Sequence, residues 1–431
     1  MRNEKIINSM GIGTKCVQSG YQPQNGAAVE LPICQSTTFH YESTEHVARL
    51  FDFEAEGHFY TRISNPTVEG LEKKINELEG GVGTLCLSSG QAAVMTAIMN
   101  IVSAGDHILS SGTLYGGTMN LLSVLFKRFG VEVTFFDTDL SAEEIHLKIR
   151  PNTKVLYTET LANPALKIAD LKMLADVAHG HGIPLMVDNT FATPILCRPF
   201  EHGADIIIHS TTKYLDGHAT SVGGSITDGG RFDWRGGKFP GLTEPDESYH
   251  GLVYTDHFGD KAFIAKARAQ LIRDMGNCMS PMNAFLTNLG IETLQLRMRR
   301  HCENALKIAQ FLEEHEQVQS VNYPGLPSNA YYQLGKRYLQ GGCSGVVSFE
   351  VKGGREKAVE IMDRLRMISI VVHVADVRSH VLHPASSTHR QQTDEQLLEC
   401  GINPGMIRLT VGIEEADDII DDLRYALAAC K

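Results

Sequence analysis

The 431-residue chain predicts an α/β protein, with a mostly parallel sheet covered by helices on both faces and then a smaller α/β unit. Near-continuous apolar strands alternate with amphipathic helical stretches between Thr84 and His209. The polar residues Ser89, Glu159, Asp188 and Ser210 fall at strand carboxyl ends, where sheets of this kind bind ligands. A long helix from about Met282, carrying Leu286, Leu289, Leu294 and Leu296 toward Phe311, leads into the C-terminal part.

The elements follow in order. Residues 1 to about 58 read as irregular, an arm without a core of its own that packs on something else. Asn65-Pro66 marks a turn, and Thr67 is expected to cap a helix with Val68, Leu71, Ile75 and Leu78 on one face. Strands are expected at 84–87, 107–109, 131–136, 154–159, 184–187 and 205–209. The helices between them include 92–102, one through Leu121, Leu122, Leu125 and Phe126, one near 142–149, and one capped by Asp170. Residues 229 to 256 are rich in Gly and Pro and hold the single tryptophan, Trp234. Beyond them, 345–349 and 406–411 read as strands and 417–427 as a helix.

Composition narrows the function classes. Apolar residues make up 42% and charged residues 21%, ordinary values for a soluble globular protein. A net charge of -12 argues against a nucleic-acid or anionic-membrane partner. No apolar run approaches a membrane span, and the start M-R-N-E-K-I-I-N-S-M lacks a signal-peptide core, so the cytoplasm is the expected compartment. Nine cysteines (16, 34, 86, 197, 278, 302, 343, 400 and 430) show no C-x-x-C, and the histidines form no H-E-x-x-H. Neither a disulfide framework nor a catalytic metal is expected.

The chemistry centres on 204–224, A-D-I-I-I-H-S-T-T-K-Y-L-D-G-H-A-T-S-V-G-G. Lys213 directly after a buried strand, beside several hydroxyls, suits an imine to an aldehyde cofactor whose phosphate Ser210 and Thr212 hold. Asp188 ends another apolar strand; a carboxylate facing the ring nitrogen of pyridoxal phosphate would keep that nitrogen protonated. Ser89, Gly90 and Gln91 open a helix whose free N–H groups suit a phosphate. Read singly, S-T-T-K also fits a surface lysine, D-N-T a helix cap and S-S-G-Q an ordinary helix start.

Taken together, the motifs Y-T-R-I-S-N-P-T, S-S-G, L-Y-G-G-T, E-T-L-A-N-P, V-D-N-T-F-A-T-P, H-S-T-T-K-Y-L-D-G-H, H-P-A-S-S-T-H and I-R-L-T-V-G-I-E occur in that order over nearly the whole chain. The sequence thereby resembles the Cys/Met-metabolism (trans-sulfuration) family of pyridoxal-phosphate enzymes, of fold type I, the aspartate-aminotransferase-like architecture. The resemblance implies an arm over 1–62 that contributes to a neighbouring subunit, a large cofactor-binding domain over 63–283 and a C-terminal domain over 284–431. It makes Lys213 the Schiff-base lysine and Asp188 the ring-nitrogen partner, with Tyr115 stacked on the ring and helping to move protons. Ser89, Gly90, Gln91, Ser210 and Thr212 would hold the phosphate, and Asn163 would lie near the ring oxygen. Tyr60 and Arg62 would reach the cofactor and substrate of a neighbouring subunit, implying a homo-oligomer, a tetramer built as a dimer of dimers. Arg408 would grip the substrate's α-carboxylate.

Within the family, the 236–254 stretch looks like the insertion of O-acetylhomoserine sulfhydrylases, and Gly117 stands where methionine gamma-lyases commonly carry cysteine. Both favour replacement at the γ carbon of O-acetyl-L-homoserine by sulfide or methanethiol. A lyase or cystathionine synthase is the alternative, and a non-catalytic cofactor-binding protein is the alternative of another class. His373, in V-V-H-V-A-D, departs from relatives that often have Ser or Asn beside the substrate carboxylate; it is a substrate-binding candidate or a packed residue.

Overall fold

The computed structural model describes residues 9–387, 390, 393–399 and 403–428. Cys400, Cys430 and the Thr388-His389 end of the H-P-A-S-S-T-H motif lie outside the described residues. The first sheet has seven strands: β1 Gly83–Leu87, β2 His107–Ser111, β3 Glu132–Phe136, β4 Thr153–Glu159, β5 Leu185–Asp188, β6 Ile206–His209 and β7 Gly224–Asp228. Their order is β1-β7-β6-β5-β4-β2-β3, and β7 alone runs against its neighbours.

Both faces of this sheet are apolar, as a buried parallel sheet demands. On β6, Ile207 packs into one large core with the helices Pro66–Glu79 and Leu171–Gly180, while Ile206 and Ile208 pack into another with helix Gly90–Met99. Side chains alternate across a strand, so a run of three isoleucines serves two layers. All strand ends predicted to bear polar groups therefore open at the same rim of the sheet.

Two helices, Pro281–Glu292 and Leu294–Glu313, lead into a second sheet of five strands. Its members are β8 Val318–Asn322, β9 Val346–Val351, β10 Ser369–Ile370, β11 His380–Leu382 and β12 Met406–Thr410, in the order β10-β11-β12-β9-β8. Only β10 and β11 pair in parallel. Helix Ala416–Ala428 completes this part.

Several expectations are corrected. The N-terminal stretch is not wholly irregular: it forms helices Ile12–Gln18 and Thr44–Phe51, and Cys16 of the first is fully buried in the chain's own core. Thr67 does not cap its helix. Pro66 occupies the first turn, so the cap falls one residue earlier, and the Asn65 side chain accepts from Thr67 N at 3.0 Å. The Thr67 hydroxyl instead donates to Pro32 O at 2.7 Å. The long helix from Met282 is two helices that meet at Thr293, where ψ turns to 6°. Of the leucines it carries, Leu294 is buried while Leu289 and Leu296 are exposed. In the 229–256 segment Trp234 is buried, stacked on Phe263 at 5.3 Å.

Candidate active site

Lys213 sits on the turn after β6, its backbone N–H donating to Ser210 O at 3.2 Å. Its side chain enters a cavity of about 280 Å³ at the carboxyl ends of β4, β5 and β6, closed from the other side by Val372, His373 and Arg408 of the second sheet region. Ser89, Gly90, Gln91, Tyr115, Asn163, Asp188, Ser210 and Thr212 line the same space. Thus every predicted site residue except Tyr60 and Arg62 is brought together in one chain.

One end of the cavity is an anion cradle. Ser89 caps helix Gly90–Met99, its hydroxyl accepting from Ala92 N at 3.1 Å, which leaves the N–H groups of Gly90 and Gln91 without a helical partner. Ser210 is pressed against that helix start: a Cβ on Gly90 would fall 2.6 Å from Ser210 Cβ and 2.9 Å from its Cα. Gly224 on β7 is equally tight, since a Cβ there would fall 2.2 Å from Ser89 O. The Thr212 hydroxyl donates to Gly223 O at 3.1 Å and accepts from Gly223 N at 3.0 Å, closing the loop beside the cradle. Gln91 donates from Nε2 to Thr118 Oγ1 at 3.0 Å.

The middle holds two carboxyls. Thr190 N donates to Asp188 Oδ1 at 3.0 Å, and burial raises the Asp188 carboxyl despite that bond. Among the described residues Asp188 makes no ion pair, and a buried carboxyl of this kind could hold a cationic partner. Glu159 accepts from Tyr115 N at 2.7 Å and Asn163 N at 3.3 Å, pinning two site loops. Burial, and then Asp188, push Glu159 well above the usual carboxylate range.

At the other end, Arg408 on β12 is buried at 8% exposure and, among the described residues, has no carboxylate partner. Its guanidinium donates to Asn163 Oδ1 at 3.1 Å and to His373 O at 3.4 Å, and its Nε is buried with no partner. Burial lowers it to about 10, which leaves it cationic at neutral pH. Burial, followed by the Arg408 charge, brings the Lys213 amine down to about 8. The His373 ring Nδ1 lies 3.3 Å from Lys213 Nζ.

Tyr60 and Arg62 lie elsewhere. They line a second cavity of about 970 Å³ between the N-terminal segment and residues 248–273, with Arg62 5.2 Å over the Tyr60 ring and bonded to Arg273 O. Among the described residues no cluster of three His, Cys, Asp or Glu could hold a metal ion.

Residues missed by the sequence reading support the strand ends from below. Glu79 and His209, both fully buried, pair at 2.5 Å, and Asn189 Nδ2 donates to the same Glu79 oxygen at 3.1 Å. Thr160 Oγ1 in turn donates to Asn189 Oδ1 at 2.8 Å. Thr160, Asn189 and His209 each adjoin a cavity residue (Glu159, Asp188 and Ser210), so one buried network fixes three strand ends. Its only sequence signal is the adjacency itself.

A lysine after a strand, two buried carboxyls in the same cavity and an anion cradle at a helix start suit a phosphorylated aldehyde on a fold-type-I scaffold. The family model for Cys/Met metabolism PLP-dependent enzymes matches residues 13–428. The O-acetyl-L-homoserine sulfhydrylase of Leptospira meyeri is 46% identical over 406 residues, 92% of each chain. That of Corynebacterium glutamicum is 43% identical over 97% of each. A crystal structure from Campylobacter jejuni that carries N'-pyridoxyl-lysine-5'-monophosphate superposes with a TM-score of 0.94 at 36% identity, covering 97% of this chain and 100% of that one. The chain belongs to the Cys/Met metabolism family of PLP-dependent enzymes.

Proposed function

We propose that the protein replaces the acetate of O-acetyl-L-homoserine with sulfide or methanethiol, giving homocysteine or methionine. What carries this reading is one cavity in which a buried guanidinium, Arg408, with no carboxylate partner among the described residues, shares the space with the Lys213 amine, in a chain whose relatives are named for that reaction.

Pyridoxal phosphate, when bound, supplies an aldehyde for the substrate's amino group and a cationic ring that draws electrons from the α carbon. Lys213 and Asp188 would hold its two ends of reactivity, with Ser89, Gly90, Gln91, Ser210 and Thr212 at the phosphate and Tyr115 and Asn163 along the ring. Arg408 binds the substrate's α-carboxylate, a planar anion that a guanidinium fork matches. Lys213 then takes the α proton. Its amine is close to half neutral near pH 8, so a free base is available at working pH. The same amine moves protons at the α and β carbons as acetate leaves the γ carbon and sulfur adds there. Asp188 stays anionic behind the ring.

Gly117 favours replacement by leaving the Tyr115 ring in place: a Cβ at 117 would fall 2.5 Å from Tyr115 Cε1. A cysteine there would move that ring. In the same reading residues 1–62 form the arm, 63–283 hold the cofactor and 284–431 close the substrate side. Tyr60 and Arg62 would complete the site of a neighbouring subunit in a dimer, two of which pair as a tetramer. No helix among the described residues is long and apolar enough to cross a membrane, and the cytoplasm is the compartment we assign.

The test is a panel of acetyl-, succinyl- and phosphohomoserine with sulfide, methanethiol or cysteine. Homocysteine and acetate from the acetyl ester with sulfide are expected. Cystathionine as main product, or ammonia and 2-oxobutyrate from methionine, would replace this reading with a synthase or lyase.

A further inference from the structure

Residue 373 touches the site twice. Its backbone oxygen accepts from Arg408 at 3.4 Å, and its ring Nδ1 lies 3.3 Å from Lys213 Nζ. Among the described residues His373 is the only hydrogen-bond partner of that amine. Its other ring nitrogen, Nε2, is buried with no partner.

The ring's charge follows from its surroundings. Burial, then the Lys213 charge, hold the imidazole down to about 4. The other charged or titratable groups facing it are Asp376, His380 and Asp216. Asp376 is held by Arg378 at 3.0 Å, and Asp216 accepts from the N–H groups of His218 and Thr220, so neither carboxylate bonds the ring. His380 lies 3.9 Å from Asp376. A neutral imidazole has one accepting nitrogen, and opposite a protonated amine that nitrogen is Nδ1.

Resting on the reading of Lys213 as proton carrier, we propose that His373 is a positioning residue that docks the free Lys213 amine. When the substrate's nitrogen displaces the lysine, Nδ1 accepts from the released amine. Because the same residue's main chain braces Arg408, the amine is held beside the carboxylate anchor. The carboxylate is bonded to the α carbon, so the docked amine waits next to the proton it must take. No bond other than N–H changes in this step.

The main-chain and side-chain contacts can be separated by substitution. His373→Leu keeps the carbonyl on Arg408 and removes the acceptor; His373→Asn puts an oxygen at the same number of bonds from the backbone as Nδ1. In full-length protein stripped of cofactor, the pH midpoint for trinitrobenzenesulfonate labelling of Lys213, read by peptide mass spectrometry, should lie near 8. It should fall by about one unit in H373L, because an ammonium loses an acceptor, and return most of the way in H373N. With cofactor restored, exchange of the substrate α proton in deuterated water should slow about tenfold or more in H373L, with KM for O-acetylhomoserine little changed.

An unshifted labelling midpoint in folded H373L overturns the proposal, as does a KM rise with unchanged exchange. Should H373L misfold, nitrogen-15 spectra of the intact apoprotein decide: an unprotonated Nδ1 is expected, and a protonated one overturns it. The apoprotein titration uses no substrate, so it stands or falls apart from the assigned reaction. Failure of the wild type to make homocysteine would instead remove the functional reading alone.

Discussion

Glu159 and Asp188 face each other as a register pair across the parallel strands β4 and β5. Two carboxyls so placed cannot both ionise cheaply, and the sheet separates their roles. Both line the cavity, Glu159 as the more buried of the two and the acceptor from two loop N–H groups. In the proposed reaction Asp188 is the carboxyl that carries the charge.

Asp188→Asn preserves shape and removes that charge. The fold should survive, and kcat/KM should fall by about a hundredfold or more, the scale of a lost preorganised electrostatic contact. Steady-state rates beside circular dichroism check this. Turnover within threefold of the parent would mean that Asp188 does not serve the ring nitrogen.

Gly90→Ala tests the anion cradle. The added methyl meets Ser210 Cβ at 2.6 Å and Cα at 2.9 Å, and the backbone cannot yield without parting the two halves of the cradle. Cofactor affinity should drop about tenfold or more, followed by absorbance titration of the stripped protein, with little change in melting temperature. An affinity equal to the parent's would place the phosphate elsewhere.

Glu79→Gln leaves His209 without its carboxylate in a site with no solvent access for either side chain. Breaking a buried pair of this kind costs about 3 kcal/mol, visible as a lower denaturant midpoint. Because the network adjoins Asp188 and Ser210, cofactor affinity should weaken as well. A variant as stable as the parent would show that Asn189 alone secures these strand ends.

Asp228 on β7 carries a pH signature. Burial raises its carboxyl to about 7, against bonds such as that from Gly230 N at 2.9 Å. Its stability contribution is full below pH ~3.8, the unfolded value, and disappears as pH rises through about 7. Asp228→Asn removes the dependence. The stability gap between variant and parent should widen in the variant's favour by about 2 kcal/mol between pH 5 and pH 8, measured by urea unfolding at each pH. A pH-independent gap would show that this carboxyl titrates normally.

The parts of the molecule legible in the sequence are those governed by local rules. Apolar runs placed β1 to β6, and strand-end polarity placed Ser89, Asp188, Ser210 and Lys213 around one cavity. β7 escaped because G-S-I-T-D offers one large apolar residue, and its burial comes from neighbours rather than from its own composition. β10 and β11 span two and three residues, too short for any periodicity. The cap was misplaced at Thr67, although the proline at 66 fixes the helix start and leaves Asn65 as the cap. The Glu79–His209 pair joins positions 130 residues apart, a separation that no pattern in either segment encodes. Tyr60 and Arg62 were marked by their motif, yet within one chain they stay with Arg273 rather than Lys213.

β7 carries a consequence for biosynthesis. β1 meets the sheet only through β7, and Gly224 is the residue that seats Ser89 against its neighbours. While the ribosome is still extending the chain, the first-made half of the cradle has no docking edge until residue 228 has emerged. Vitamin capture is therefore a late event in translation, and Arg408, some 180 residues further on, arrives later still.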